Sequence, residues 1–479
     1  MTERLFNLVV PLAHEATAMR TADTAGSSRG RSGAVSPLIG DSLRRGDVDS
    51  TNGRSSPPTP GSPGIRTSTT ATRTTTTRAS RAAPAPSADQ YGCHQPADFS
   101  FVALVEAYFD CRRNKRNSDA ALAFEQRLEF NLYRLYRELA DGTYRPGRSI
   151  CFVVIRPKPR EVWAADFRDR IVHHLLYNRI APRFHAAFVA DSCACIPGRG
   201  TLYAARRLES KVRSATQNWS RPVWYLKLDL ANFFVSIDKR ILREQLAARV
   251  TEPWWMRLAE TILFHDPRVG VELRGSPARL GLVPEHKRLA RQPSHLGLPI
   301  GNLSSQFFAN VHLDALDQFI KHRVGARHYV RYVDDFVLLH PSPQWLNDAK
   351  ARIEAFLADR LHQRINPAKT ILQPVERGID FVGHVLKPWH RATRRRTEGE
   401  ARRRVAVTPE EDFLAVANSY FGLLRQAQHS HHSRARLANV VRRRGRCVKG
   451  DLTKTYPRGL MLDRGVGGVA PAPALGNSK

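Results

Sequence analysis

The sequence is poor in acid. Its 479 residues carry 44 Asp and Glu against 75 Lys and Arg, a formal net charge of +31 with a pI near 10.7. That imbalance predicts a polyanionic partner, with nucleic acid the first candidate. A basic disordered tail does not account for it, because much of the positive charge lies in the patterned region after Phe99. Cysteine is also scarce: Cys93, Cys111, Cys151, Cys193, Cys195 and Cys447 include no Cys-x-x-Cys pair, which argues against a zinc site. The scatter suits reduced thiols and a cytoplasmic protein. No apolar run approaches the length of a membrane span, so no membrane partner is expected. The opening Leu5-Phe-Asn-Leu-Val-Val-Pro-Leu12 is too short and poorly flanked for a signal peptide. There is no internal repeat.

Lysine is absent before Lys115, although arginine is frequent there. Residues Ala22 to Asp98 are dominated by Ser, Thr, Pro, Gly, Ala and Arg, and cannot bury enough apolar surface to offset their ordering entropy. Residues 1–98 are therefore expected to be a disordered, low-complexity extension, and the composition break suggests a wrongly assigned start codon. Order begins at Phe99. Phe101–Tyr108, Ala121–Leu135, Arg170–Ile180, Leu303–Val324 and Ala349–Leu361 have helical apolar spacing. Ser149–Ile155 and Val223–Asp229 read as strands, and Gly378–His384 as a short strand and turn. Helices interleaved with short strands predict an α/β (α+β) catalytic domain. After Pro388 the chain turns very basic, with a helix expected over Glu410–Gln426 and another over Arg434–Arg446. From Val448 Gly and Pro return, and a disordered tail, 448–479, is expected. His429, His431 and His432 lack a matching acid or Cys arrangement and read as a loop.

Within Ala326–His340, Tyr332-Val333-Asp334-Asp335 separates two apolar runs. The natural reading is strand, tight turn, strand, with two adjacent carboxylates at the tip. A solvated turn is the plain alternative, since Asp is common in turns. Asp229, which ends the strand Trp224–Leu228, supplies a third carboxylate able to face that tip across a sheet. Nucleotidyl transfer needs such an arrangement. Two divalent cations, roughly 3.5–4 Å apart, activate a 3′-hydroxyl and stabilise the departing pyrophosphate. Asp229, Asp334 and Asp335, with a backbone carbonyl such as that of Leu230, are the candidate metal ligands and catalytic residues.

These residues resemble the palm of reverse transcriptases, in Tyr332-Val-Asp-Asp335 and in Leu228-Asp229-Leu-Ala-Asn-Phe-Phe234. Gly297-Leu-Pro-Ile-Gly-Asn-Leu-Ser-Ser-Gln-Phe-Phe-Ala-Asn310 is similar to the family's intervening segment. Asn366-Pro-Ala-Lys-Thr370 resembles its later lysine motif, and Phe381-Val-Gly-His384 its primer-grip turn. Arg156–Arg160, Phe167–Val172 and Asp191–Thr201 resemble its finger motifs, though Ile196 stands where an Arg is common. The resemblance runs from about Phe99 to Arg446. It implies a right-hand polymerase, with fingers and palm over 99–390 (a small antiparallel sheet backed by helices) and a basic helical thumb over 391–447. Ile300-Gly301 followed by Ser305-Gln306, where most relatives carry Gln and then Ser-Pro, resembles the enzymes of diversity-generating retroelements. Asn418–Leu424 looks like the thumb of that group.

The resemblance implies RNA-templated DNA synthesis with two Mg²⁺ ions, Mn²⁺ being a substitute. It further implies deoxynucleoside triphosphates as substrates, a template RNA with its cDNA–primer duplex, and a small basic accessory variability protein. Lys158, Arg160, Arg199 and Lys369 would meet the triphosphate. Phe234 would exclude a ribonucleotide 2′-hydroxyl. Ile300 and Gly301 would lie beside the nascent pair, and Gln306, Tyr332, Gly383 and Tyr420 along template and primer. Other readings are a phage-defence or other bacterial reverse transcriptase and, in a different class, a non-catalytic RNA-binding protein on a polymerase scaffold. Substituting Phe234→Ala should admit ribonucleotides in a primer-extension assay; unchanged sugar discrimination would refute its role.

Overall fold

The computed structural model describes residues 99–113, 118–155 and 158–457. The expectations for 1–98, for Arg156 and for the tail beyond 457 lie outside the described residues. The strands are β1 (Ile150–Val154), β2 (Arg160–Ala164), β3 (Trp224–Asp229), β4 (Glu272–Arg274), β5 (His328–Tyr332) and β6 (Asp335–His340). They continue with β7 (Ile371–Pro374), β8 (Ile379–Phe381), β9 (His384–Lys387), β10 (His390–Thr393), β11 (Cys447–Val448) and β12 (Thr455–Tyr456).

The central sheet has the order β5-β6-β3-β7, antiparallel throughout. Side chains on a strand alternate between faces. Leu226, Leu228, Tyr329, Phe336 and Leu338 face one way, into a core shared with helices Phe167–Ala187 and Leu303–Gln318. Tyr225, Val330, Val337 and Leu339 face the other way, against helix Thr201–Ala215 and the β8–β9 hairpin. Both faces are therefore apolar. Each fully buried aliphatic or aromatic side chain contributes about 1.5–3 kcal/mol, so register is strongly specified. A slip of one residue would exchange the two faces. The same parity puts Lys227, Asp229, Tyr332 and Asp335 together on the second face.

The smaller sheet of the fingers, β2-β1-β4, pairs β1 antiparallel to β2 and parallel to β4. It meets the palm through the segment before helix Leu303–Gln318. Trp163 N donates to the Ile300 carbonyl at 2.7 Å. At Gly301, φ is +127° and a Cβ would lie 2.8 Å from Val162 Cγ1 and 3.1 Å from the Trp163 carbonyl oxygen. Backbone meets backbone here, which glycine alone permits without strain.

Beyond the palm, β8, β9 and β10 form a three-stranded antiparallel sheet. The β8–β9 turn has φ +44° at Val382 and +89° at Gly383, the positive pair expected of a two-residue hairpin. Helices Arg395–Val407, Glu410–Leu424 and His431–Arg443 then enclose a separate core around Val405, Phe413, Phe421, Leu437 and Val441. The expectation of disorder from Val448 is corrected in part. β11 and β12 pair, and Val448 and Leu452 are buried in the three-helix core. Asn418 clamps Thr455 with both ends of its amide, at 3.1 and 2.8 Å. Composition missed this because the contacts that hold so short a hairpin, from Asn418 and Arg434 among others, come from residues outside it. His431 and His432 open the third helix rather than lying in a loop, and His429, at φ +52°, is in the turn before it.

Candidate active site

Three carboxylates meet at one end of the central sheet. Asp229, the last residue of β3, stands directly opposite Asp335, the first residue of β6. Tyr332 pairs with Asp335 on the other side, so Val333 and Asp334 form the link between β5 and β6. Val333 has φ +57°, an uncommon conformation for a β-branched residue. The turn is held to β3 by Leu230 N, which donates to the Asp334 carbonyl at 3.2 Å. Asn366 N donates to the Asp229 carbonyl at 2.7 Å, and the Asn366 side chain accepts from Ala368 N. The resulting turn, Pro367–Lys369, delivers Lys369 Nζ to within 2.6 Å of Asp229 Oδ1. Lys227, two residues before Asp229 and on the same face, lies 3.1 Å from Asp335 Oδ2 and donates to the Asp380 carbonyl at 2.8 Å.

Burial first, then the charge of Asp229, raises the Asp334 carboxyl above its ordinary value; Lys369 and Arg160 oppose the shift. Burial pushes Asp335 up to about 6, against the pull of Lys227. Three acids so placed repel one another and call for cationic charge. Among the described residues no cluster of three or more His, Cys, Asp or Glu surrounds a single point, and Lys369 and Lys227 pair with two of the three carboxylates. Even so, Asp335 Oδ1 is buried without a hydrogen-bond partner. A free carboxylate oxygen beside two further acids is a donor set that fits hard divalent cations.

The turn is braced from below by Arg331, on the opposite face of β5. Its side chain and that of Asp317 are both 0% exposed. Nε and Nη2 of Arg331 donate to the two Asp317 oxygens at 2.8 and 2.6 Å. Nη2 also reaches Ser192 Oγ at 2.9 Å, and Nη1 reaches Asn310 Oδ1 at 3.2 Å and the Val333 carbonyl at 3.1 Å. A guanidinium has five N–H donors, and here each has an acceptor. Burial disfavours the Arg331 charge, but Asp317 outweighs it, so the net shift is upward. The backbone of Arg331 bonds to the Asp191 carbonyl and to Cys193 N, which ties the finger-side loop to β5.

The other expected residues are placed unequally. Arg160 is exposed at the start of β2, and its charge reaches Asp334. Lys158 is exposed in the preceding turn. Phe234 is half-buried, edge-on to Phe233, and its carbonyl accepts from Leu298 N at 2.8 Å. This bond links the short helix after Asp229 to the segment carrying Ile300. Gln306 accepts from Cys195 Sγ at 3.4 Å. Tyr332 is half-buried on the carboxylate face, and Gly383 stands at a hairpin tip with open space around it. Arg199, expected to meet the triphosphate, holds its own loop through one of its guanidinium nitrogens. Its Nη1 donates to the Val189 and Ser192 carbonyls at 2.9 and 2.7 Å. Tyr420 packs on the thumb core. Sequence reasoning missed Lys227, Arg331, Asp317 and Asn310. Strand alternation placed Lys227 beside Asp229, and an Arg inside an apolar strand signals a buried partner; the partner's identity needed the fold.

An antiparallel sheet carrying carboxylates at a β-turn and at the neighbouring strand end, with fingers on one side and a helical unit after it, is a right-hand polymerase fold. Residues 157–386 match the family model described as reverse transcriptase (RNA-dependent DNA polymerase). Residues 157–386 are therefore a reverse transcriptase (RNA-dependent DNA polymerase) domain. It is 25% identical over 340 residues to Protein YkfC of Escherichia coli (strain K12), covering 63% of this chain and 81% of that one. Among solved structures it is similar to telomerase from Candida albicans in complex with a TWJ fragment of telomeric RNA (TM-score 0.38, 12% identity, 62% of this chain and 56% of that chain). It is also similar to apo telomerase from Candida tropicalis truncated from its C-terminal domain (TM-score 0.37, 13% identity, 51% and 54%). The chain thus spans about half the length of these telomerase chains.

Two outcomes follow from the buried charges. Asp317→Ala strands a guanidinium in the core and should cost about 3–5 kcal/mol, measured by denaturant unfolding; a loss below about 1 kcal/mol, the size of an exposed pair, would discard the network as a stabiliser. Asp335 has a folded pKa above its unfolded value, so its contribution to stability is full below the unfolded carboxylate range and is lost as pH rises through about 6. Metal-free Asp335→Asn protein should accordingly be more stable than wild type at neutral pH, with the advantage gone by about pH 4. A pH-independent difference would contradict the assignment.

Proposed function

We propose that this enzyme copies an RNA template into cDNA by two-metal nucleotidyl transfer, and does so for mutagenic retrohoming in a diversity-generating retroelement. The observation that carries the chemistry is the register pair Asp229–Asp335 with Asp334 in the adjoining turn. Asp229, Asp334, Asp335 and the Leu230 carbonyl would hold Mg²⁺, which would supply activation of the primer 3′-hydroxyl and stabilisation of the leaving pyrophosphate. The protein's own part is positional. Lys369 and Lys227 pair with Asp229 and Asp335. Arg160, exposed beside Asp334, is the best-placed cation of the fingers for a triphosphate, with Lys158 near it in sequence. Phe234 screens the sugar from its half-buried position.

The retroelement reading rests on Ile300-Gly301 and Ser305-Gln306. Ile300 gives its carbonyl to Trp163 N and half-buries its side chain; a branched aliphatic there cannot donate the hydrogen bonds that Gln would. Template RNA, its primer duplex and a small basic accessory protein are the partners this reading carries.

The test is primer extension on an RNA template with Mg²⁺ and deoxynucleoside triphosphates, followed by sequencing of the product. Wild type should extend, Asp334→Ala should not, and errors should concentrate opposite template adenines and fall in Ile300→Gln. Extension unaffected by Asp334→Ala would sink the site, and errors spread evenly over the four bases would sink the retroelement reading.

A further inference from the structure

Between the loop at Asp191 and the link into β5, basic side chains converge on a single acid. Asp191, whose side chain is 4% exposed, takes Arg207 Nε at 2.7 Å, Lys211 Nζ at 3.3 Å and Lys321 Nζ at 3.2 Å. Lys211 and Lys321 also share one acceptor, the Arg327 carbonyl, at 3.2 and 3.3 Å. The Arg327 side chain is exposed beside them, and so is that of Arg221. All of Lys211, Arg327, Lys321 and Arg221 press on His328, which burial and these charges hold down at about 4, so it adds no counter-charge. Its Nδ1 is buried without a partner. Among the described residues Asp191 is the one carboxylate in ion-pair contact with this group.

Five cations against one carboxylate leave an excess of four positive charges. Like charges gathered this closely are unfavourable unless an anion covers them. The side chains come from three separate stretches: helix Thr201–Ala215 with the loop behind it, the turn after helix Leu303–Gln318, and the link into β5. A local charge run would not produce that convergence. His328 and Tyr332, the ends of β5, stand four residue steps apart, roughly 13 Å at about 3.3 Å each, so Arg327, with Lys211 and Lys321 on its carbonyl, lies at the opposite end of the strand from the carboxylates.

We propose that this group is a phosphate-binding site for RNA, engaging a folded part of the RNA that is not being copied. Lys and Arg without base-edge geometry read a backbone and not a sequence, and a compact basic patch suits the closely spaced phosphates of an RNA helix. The proposal uses the polymerase reading only in choosing RNA as the polyanion; its test is one of binding and stands whether or not the carboxylate site is active.

The probes are a short RNA template annealed to a DNA primer, and the same duplex with a 20-base-pair RNA hairpin appended to the template. The variant is Arg221→Glu with Arg327→Glu, both exposed and neither in contact with Asp191; Lys321→Ala is the second variant. Wild type should bind the hairpin probe about tenfold more tightly than the short one, and the double variant should lose that advantage. Its log–log salt slope on the hairpin probe should fall by about 2, at about 0.9 per phosphate contact. Extension of the short probe should be unchanged. Wild-type affinity and slope in both variants would overturn the site. Equal losses on the two probes would assign these residues to the template–primer duplex instead, and competition by polyglutamate with no preference for the hairpin would assign the patch to an acidic protein.

Discussion

A guanidinium and a carboxylate, both sealed from water, hold together the end of the sheet that carries the three carboxylates. The Arg331–Asp317 pair has no solvent to fall back on, so its desolvation must be met by geometry. It is met by all five N–H donors finding acceptors, with Tyr329 adding a hydroxyl to Asp317 at 2.6 Å. Those acceptors lie on helix Leu303–Gln318, on the loop at Ser192 and on the turn at Val333. One side chain thereby fixes three segments relative to one another. One of the three is the turn that carries Asp334 and Asp335, whose Val333 would not by itself favour its backbone conformation.

Above that brace the problem is reversed. The brace satisfies every charge, whereas the site above it crowds acids that cannot all ionise comfortably. Lys369 and Lys227 relieve two of them, yet Asp335 keeps a buried oxygen without a partner and a raised pKa. Such frustration is characteristic of sites built for a ligand. The register of β3 against β6, locked by apolar burial on both faces, keeps the acids adjacent despite their repulsion.

Much of the fold was legible because its signals were local. The apolar runs flanking Asp334 and Asp335 and the strand ending at Asp229 were readable as strands, and their order along the chain pointed to a palm. Tertiary partners were less legible. The family resemblance put Arg199 at the triphosphate, but gave no sign that its Nη1 would also bond to the Val189 and Ser192 carbonyls. Residues 448–456 read as tail by composition, because a clamp on Thr455 from Asn418, 37 residues upstream, leaves no local trace.

By itself the sequence determined the reverse transcriptase domain and the residues that meet at its carboxylate site: three acids at a strand end and a hairpin tip, within an ordered set of motifs on a chain of charge +31. Residue types and strand period suffice for that, since both act within a few positions. Only the tertiary structure decided which lysine meets which aspartate, that Arg331 is a brace and not a surface charge, and that Arg207, Lys211, Arg221, Lys321 and Arg327 form one group. These are properties of distance between segments far apart in the chain, and no local pattern encodes a distance.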